Sequence, residues 1–319
     1  MFKLAWMQLQ KIFQHSMLLF FKIVFSGLAL WWVLRQVNLD QLHSVFKELP
    51  VSTYSYALLT MSLCVCLNGL RLCYISKLIG IKNSFKSLIN LTWAGTFFNQ
   101  LLPGGIGGDA YRIYALTKKN STLLSTSAII WDRILGLACM GLICVPMLFF
   151  IKLPSSLKII ALTTYSFLVG GIVILMLFIR FPILQNYKLI NKLWKILALG
   201  KKFISKPCTF LGITGLTATF VNFAAFYLLI IALQIPLNFW ESCVLYTFSL
   251  LITMIPISIS GWGLRESFLT AYLLAYGLPP EKGFTLGILQ GLLMLAVGGI
   301  GAIFYLFSKN HKNSLGTTL

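Results

Sequence analysis

The chain has 319 residues, 58% of them hydrophobic and only 10% charged, with a mean hydropathy of +0.86. A soluble domain carries roughly 25% charged residues, so this composition excludes a soluble enzyme, a disordered chain and a secreted disulfide scaffold, and it leaves an all-α polytopic membrane protein. The net charge of +19, from 26 Lys+Arg against 7 Asp+Glu, points in so apolar a chain to basic cytoplasmic loops rather than to nucleic acid.

Lys3 and Lys11 precede the first apolar run, 17–34. Trp31, Trp32 and Arg35 close it without a small-residue cleavage site, so it reads as an uncleaved first span. Further runs at 54–70, 128–151, 159–179, 208–233 and 284–307 bring the expectation to six full spans of about 20 residues each. Two other apolar stretches, 87–102 and 240–257, each end in a Pro/Gly-rich break followed by a short second piece. They are expected to form two opposed re-entrant broken-helix hairpins. The seven cysteines lie in or beside apolar runs without C-x-x-C spacing and read as small apolar fillers.

Loop charge sets the expected orientation. The segment 71–86 holds four basic residues and no acid, 180–206 holds seven and no acid, and both termini are basic. By contrast, 35–53 balances Arg35 and Lys47 against Asp40 and Glu48, and 234–239 has no charge. The positive-inside rule then gives an N-in, C-in topology with 180–206 as a basic cytoplasmic loop.

The two breaks match each other. Pro103, Ile106, Gly108 and Arg112 share the pattern P-x-x-I-x-G-x-x-x-R with Pro256, Ile259, Gly261 and Arg265, 153 residues further on. Both copies fall in broken hydrophobic segments, in halves (about 54–151 and 208–307) of opposite expected orientation. That is the pattern of an inverted-topology repeat, whose substrate site lies where broken helices meet. Pro ends the entering helix, and Gly104, Gly105, Gly107 and Gly108 let the backbone turn tightly. Unwound backbone at that depth is tolerated only against protein or a wet cavity. A helix restarting after the glycines presents its positive end to an anion.

Asp40, Glu48, Glu241 and Glu281 fall in or beside expected outer loops, which leaves Asp109, Asp132 and Glu266 inside the apolar region. Each neighbours an arginine: Arg112, Arg133 and Arg265. An intramembrane charge costs roughly 2.5–3.5 kcal/mol on insertion scales, so these residues call for pairing, a wet cavity, or both. Arg112 and Arg265 are read as an anion trap, because an Arg fork binds phosphate in a bidentate way. Arg71, ending the second span, is either a third member or an interfacial anchor. No Walker A pattern, no G-x-S-x-G and no His-based metal set is present, so no catalytic residue, metal or cofactor is expected. Gly287 and Gly291 form a GxxxG that signals close helix packing. It leaves open whether the neighbour belongs to this chain or to a second copy in a homodimer.

The block Gly95-Thr-Phe-Phe-Asn99-Gln-Leu-Leu-Pro103-Gly-Gly-Ile-Gly107-Gly108-Asp109-Ala-Tyr-Arg112 resembles the signature of the lysylphosphatidylglycerol synthase transmembrane-region family. These are flippase-like integral membrane proteins, found alone or as the membrane part of multiple peptide resistance factors. Asp132-Arg133-Ile-Leu-Gly136 resembles the family's acidic-Arg element, and Pro256-Ile-Ser-Ile-Ser-Gly261-Trp-Gly263-Leu-Arg265-Glu266 its C-terminal block. Ser258 and Ser260 stand where the family block leads one to expect glycines, and Trp262 is bulky, which implies a narrower or differently shaped outer half-site.

The resemblance implies one flippase-like transmembrane domain over 1–319, in the plasma (inner) membrane of a prokaryote. With the chain ending at Leu319, no soluble synthase domain is expected. The implied function is movement of a phospholipid, aminoacyl-phospholipid or isoprenoid-linked glycolipid between leaflets. Headgroup phosphate would dock on Arg112, Arg265 and the glycine backbone, with Asn99 and Gly261 beside it. Asp109 and Glu266 would hold the arginines and accept an aminoacyl ammonium. Without an ATP motif, transport would follow a gradient, the membrane potential or consumption on the far side. The rival readings are a lipid-headgroup transferase and a membrane scaffold for a separate synthase or glycosyltransferase.

Overall fold

The computed structural model describes residues 31, 35, 50–101, 105–151, 154, 188–204, 209–255 and 257–313, together with residues scattered through 157–177. The expected first span (17–34), the break residues Pro103, Gly104 and Pro256, and most of the expected span 159–179 lie outside the described residues. Among the described residues ten helices follow in order: α1 Val51–Ile79, α2 Phe85–Leu101, α3 Gly107–Thr117, α4 Thr122–Met147, α5 Lys188–Ala198, α6 Lys201–Ile204, α7 Thr209–Ala232, α8 Phe239–Thr253, α9 Leu264–Ala275 and α10 Pro280–Asn313. No strand occurs among the described residues.

Among the described residues, four helices are long and apolar enough to cross a bilayer: Val51–Ile79, Thr122–Met147, Thr209–Ala232 and Pro280–Phe307. They correspond to four of the six expected full spans. The apolar stretches 87–102 and 240–257 correspond to two shorter helices, α2 and α8. At 1.5 Å per residue, the 17 residues of α2 and the 15 of α8 reach only about 25 and 22 Å, short of a hydrocarbon core of about 30 Å. Each is followed across its break by a short second helix, α3 or α9.

Local chemistry sets the ends. α1 starts after Pro50 and stops at Gly80, whose φ of 95° suits the left-handed turn that only glycine adopts without strain. Ser121 caps α4 by accepting from the Leu124 N–H, and Asn238 and Glu241 close a reciprocal capping box on α8. At α9, the Glu266 carboxylate accepts from the Gly263 N–H at 2.6 Å. Glu281, expected in solvent, is buried in the first turn of α10.

One boundary differs from expectation in a way that matters. The second span was expected to end at Arg71, but α1 continues eight residues further, to Ile79. Arg71 is therefore buried on the helix rather than anchored at an interface, because a carboxylate on α4 meets it.

α1 packs along α7, while α10 packs along both α2 and α9. Small residues make these approaches possible. A Cβ at Gly287 would meet the Glu266 backbone at 2.9 Å, and one at Gly283 would meet the Thr270 backbone at 2.5 Å. The GxxxG of α10 is thus used inside the chain, against α9. Further along α10, Gly298 abuts Gln100 and Gly301 abuts the Trp93 carbonyl of α2. Two apolar clusters result. One joins Phe223, Phe226 and Ile230 of α7 to Leu245, Leu269 and Leu286 of the second half. The other joins Leu72 and Ile75 of α1 to Leu116, Ile129 and Phe203.

Candidate functional site

A cavity of about 420 Å³ opens among α1, α2, α4, α7, α8 and the two breaks. Its charged wall comes from three places. Arg71 projects from α1, Asp109 and Arg112 from the first turns of α3, and Asp132 and Arg133 from α4.

The five side chains form one connected network. Arg71 Nε donates to Asp132 Oδ1 at 2.7 Å. Arg112 Nη2 donates to Asp109 Oδ1 at 2.6 Å, and its Nη1 lies 3.8 Å from Asp132 Oδ2. Arg133 Nε donates to Asp109 Oδ2 at 2.6 Å, and its Nη2 donates to the Gly105 carbonyl at 3.3 Å. Each aspartate is therefore held between two guanidinium groups. The Asp132–Arg133 neighbour pairing expected from the sequence does not form. Consecutive residues on a helix diverge by about 100°, so Asp132 turns to Arg71 and Arg112 while Arg133 reaches Asp109. Burial is graded: the Arg71, Arg112 and Asp132 side chains are 6–8% exposed, whereas Arg133 is 39% exposed. Arg133 stands at the mouth, and the others lie deep.

Glycines make the network sterically possible. Gly95 of α2 faces the Arg112 side chain, where a Cβ would sit 3.0 Å from Nε. Gly136 of α4 faces Arg71 at 3.4 Å from Nη2. Gly108 lies against the Gly95 carbonyl and Asn99, and its N–H donates to Asn99 Oδ1 at 2.8 Å. Asn99 thus pins the start of α3 to the end of α2. Gly105 lines the cavity with φ at 63°. Gly107 and Gly108 are buried in the first turn of α3.

The second break touches the first. The single proton of the Ser260 hydroxyl is shared between the Asn99 and Gln100 carbonyls, 2.8 and 3.0 Å away. It thereby satisfies acceptors that the end of α2 leaves open. The serine expected to reshape the outer half-site therefore ties the two breaks together. Gly261, with φ at 79°, packs against Thr253.

Arg265 and Glu266 stand apart from the cavity wall. Arg265 Nη2 and Nε donate to Glu266 Oε1 at 2.6 and 3.1 Å, and Nε also donates to the Gly287 carbonyl at 3.0 Å. The guanidinium lies 5.0 Å from the Trp262 ring, and the pair is 0–1% exposed. The structure brings Arg71, Asp109, Arg112, Asp132 and Arg133 together and leaves Arg265 and Glu266 on the α9–α10 contact.

Several cavity residues were not singled out from the sequence, among them Asn68, Thr92, Thr96, Thr219 and Asn222. A helical signal existed. Thr92, Thr96 and Asn99 recur at i, i+4, i+7 on α2; Asn68 and Arg71, and Thr219 and Asn222, recur at i, i+3 on α1 and α7. Among the described residues no group of three His, Cys, Asp or Glu could hold a metal ion.

The model of one known family matches residues 19–303, and that family is described as the lysylphosphatidylglycerol synthase TM region. No curated protein and no solved structure matches the chain. The match covers most of the sequence, so the chain belongs to the lysylphosphatidylglycerol synthase transmembrane-region family and is an integral membrane protein.

Proposed function

We propose that this member of the family moves a phospholipid, aminoacyl-phospholipid or isoprenoid-linked glycolipid between leaflets. The headgroup phosphate sits against Arg71, Arg112 and Arg133 while the acyl or prenyl chains stay in lipid. The observation that supports this reading is the charge of the cavity wall. Three arginines face two aspartates, which leaves one formal positive charge at a depth where an unpaired charge costs roughly 2.5–3.5 kcal/mol. A single phosphate anion completes that balance. The N-terminal turn of α3, beside Arg112, adds its partial positive charge on the same side.

The broken pairs α2–α3 and α8–α9 are the two re-entrant hairpins of an inverted repeat, and the cavity lies where they meet. Both termini face the cytoplasm of a prokaryotic cell. The lysines of 180–206 hold anionic lipid near the cytoplasmic entrance, at about 1 kcal/mol per residue close to the surface. The chain binds and passes lipid without transforming it.

A leaflet-accessibility assay tests this. The purified chain is reconstituted with headgroup-labelled lipid, and the fraction quenched from outside is followed with time. Wild-type vesicles are expected to expose label from both leaflets, and Arg112→Gln vesicles, with one cavity charge removed, only the outer half. Equal exposure by Arg112→Gln would refute phosphate binding at this wall. If no lipid is exposed and the chain instead co-purifies with a synthase or glycosyltransferase, the scaffold role replaces the translocase role.

A further inference from the structure

From the hydrogen bonding of the cavity we infer a substrate class, a phosphate ester with a neutral, hydroxyl-bearing headgroup, and the exclusion of an aminoacyl headgroup carrying ammonium charge. The inference rests on the reading of the cavity as a phosphate site and narrows it. Two aspartates line the cavity, and neither is free. Asp109 accepts from Arg112 and Arg133, each at 2.6 Å, and Asp132 accepts from Arg71 at 2.7 Å with Arg112 at 3.8 Å. A lysyl ammonium entering the cavity would find each carboxylate already between two guanidinium groups, within a wall of net positive charge. Glu266 offers no alternative. It is fully buried, and its oxygens are taken by Arg265 and the Gly263 N–H.

The donors, by contrast, are available. Of the three guanidinium nitrogens of Arg71, only Nε has a hydrogen-bond partner among the described residues. Both of its Nη groups remain as a donor pair for phosphate oxygens. The rest of the polar wall suits hydroxyls. Thr92, Thr96, Thr219 and Thr253 all line the cavity and spend their hydroxyl protons on carbonyls of their own helices. Those oxygens keep lone pairs but no proton to give, so the threonines of the wall can act only as acceptors. Asn68, whose Nδ2 donates to Cys64 Sγ at 3.4 Å, and Asn222, whose Oδ1 has no hydrogen-bond partner among the described residues, add amides, which carry both donors and acceptors. A glycerol or sugar hydroxyl can do both in return, so it matches acceptors and amides alike. The cavity, at about 420 Å³, sits toward the small end of ligand sites of roughly 300–1,000 Å³. That size suits a phosphate with one glycerol- or hexose-sized group.

The experiment is competitive displacement of fluorescent phosphatidylglycerol from the purified full chain in nanodiscs. The competitors are unlabelled phosphatidylglycerol, lysylphosphatidylglycerol and soluble sn-glycerol 3-phosphate. Phosphatidylglycerol is expected to compete at least tenfold better than lysylphosphatidylglycerol. The variant Asn68→Asp, which keeps the side-chain shape and takes the wall from one net positive charge to none, is expected to bring the two within about threefold. Monodispersity on size exclusion checks that it folds, and Asn222→Asp serves as an independent second site. Competition by sn-glycerol 3-phosphate comparable to that by the lipid would support the headgroup chemistry and assign it to a soluble ester. Equal or better competition by lysylphosphatidylglycerol in the wild type, or no displaceable phosphatidylglycerol, would overturn the inference. Transport is scored separately in vesicles. Preference without movement defeats the translocase reading alone, and movement without preference defeats this inference alone.

Discussion

Removing Asp132 separates the structural from the functional part of the charge network. Its carboxylate accepts from Arg71 at 2.7 Å and stands 3.8 Å from Arg112, with all three side chains no more than 8% exposed. Asp132→Ala leaves Arg71 buried on α1 without a carboxylate and Arg112 with Asp109 alone. Breaking a buried pair from one side costs about 3–5 kcal/mol, because the remaining charge is stranded. At about 1.4 kcal/mol per tenfold, that is two to three and a half orders of magnitude in the folding equilibrium. The double variant Arg71→Ala/Asp132→Ala strands no charge, so most of that loss should return. Its cavity keeps one positive charge but lacks the deep guanidinium. Stability is read from denaturant or steric-trapping titration in micelles, and activity from the leaflet-accessibility assay. The expected result is an unstable single variant and a stable, inactive double variant. Wild-type stability for Asp132→Ala, or full activity for the double variant, would refute the reasoning.

Three further substitutions follow from close approaches. Gly95→Val places a side chain where Cβ alone lies 3.0–3.3 Å from the Arg112 side chain; overpacking costs about 1–3 kcal/mol, and lipid exposure in vesicles should fall below one tenth of wild type. Gly291→Ala drives a methyl into the Arg265 guanidinium and to 2.9 Å from the Trp262 ring. It should lower the denaturation midpoint by a loss of about 1–3 kcal/mol while leaving phosphatidylglycerol displacement unchanged, since neither residue lines the cavity. Ser260→Ala deletes the hydrogen bonding to the end of α2. Intramembrane hydrogen bonds average about 0.6 kcal/mol each, and the one hydroxyl proton is shared between the two carbonyls, so a destabilisation of about 0.6 kcal/mol is expected by titration, with faster hydrogen exchange around Asn99 and Gln100.

Much of this arrangement is legible in the residues themselves. Apolar runs of sufficient length mark α1, α4, α7 and α10, and the Pro/Gly breaks mark where α2 and α8 stop short. Arg112 and Asp109 are visible as charges that apolar surroundings do not tolerate unpaired. Partner choice is the part that escapes. Asp132 and Arg133 are adjacent in the chain, yet helix geometry points them to different elements. Arg71 looks like the end of a span until Asp132, 61 residues away, is seen to meet it. The matching break motifs suggested equal roles for Arg112 and Arg265. Gly95 leaves Arg112 open to a cavity, whereas Gly287 and Gly291 admit Arg265 and Glu266 against α10. What surrounds two identical residues, not the motif that carries them, decides which one can meet a ligand.

The central claim is that a lipid headgroup enters the cavity at the first break. It is tested most directly by photo-crosslinking, using a phospholipid with a photoreactive group on the headgroup in nanodiscs of the full chain. Crosslinked peptides are then identified by mass spectrometry. The account predicts adducts on the stretches around Asn68–Arg71 of α1 and Thr92–Asn99 of α2, which excess unlabelled phosphatidylglycerol removes. Adducts confined to the exposed lysines of α5, or to the lipid-facing surface of α4 and α7, would contradict it.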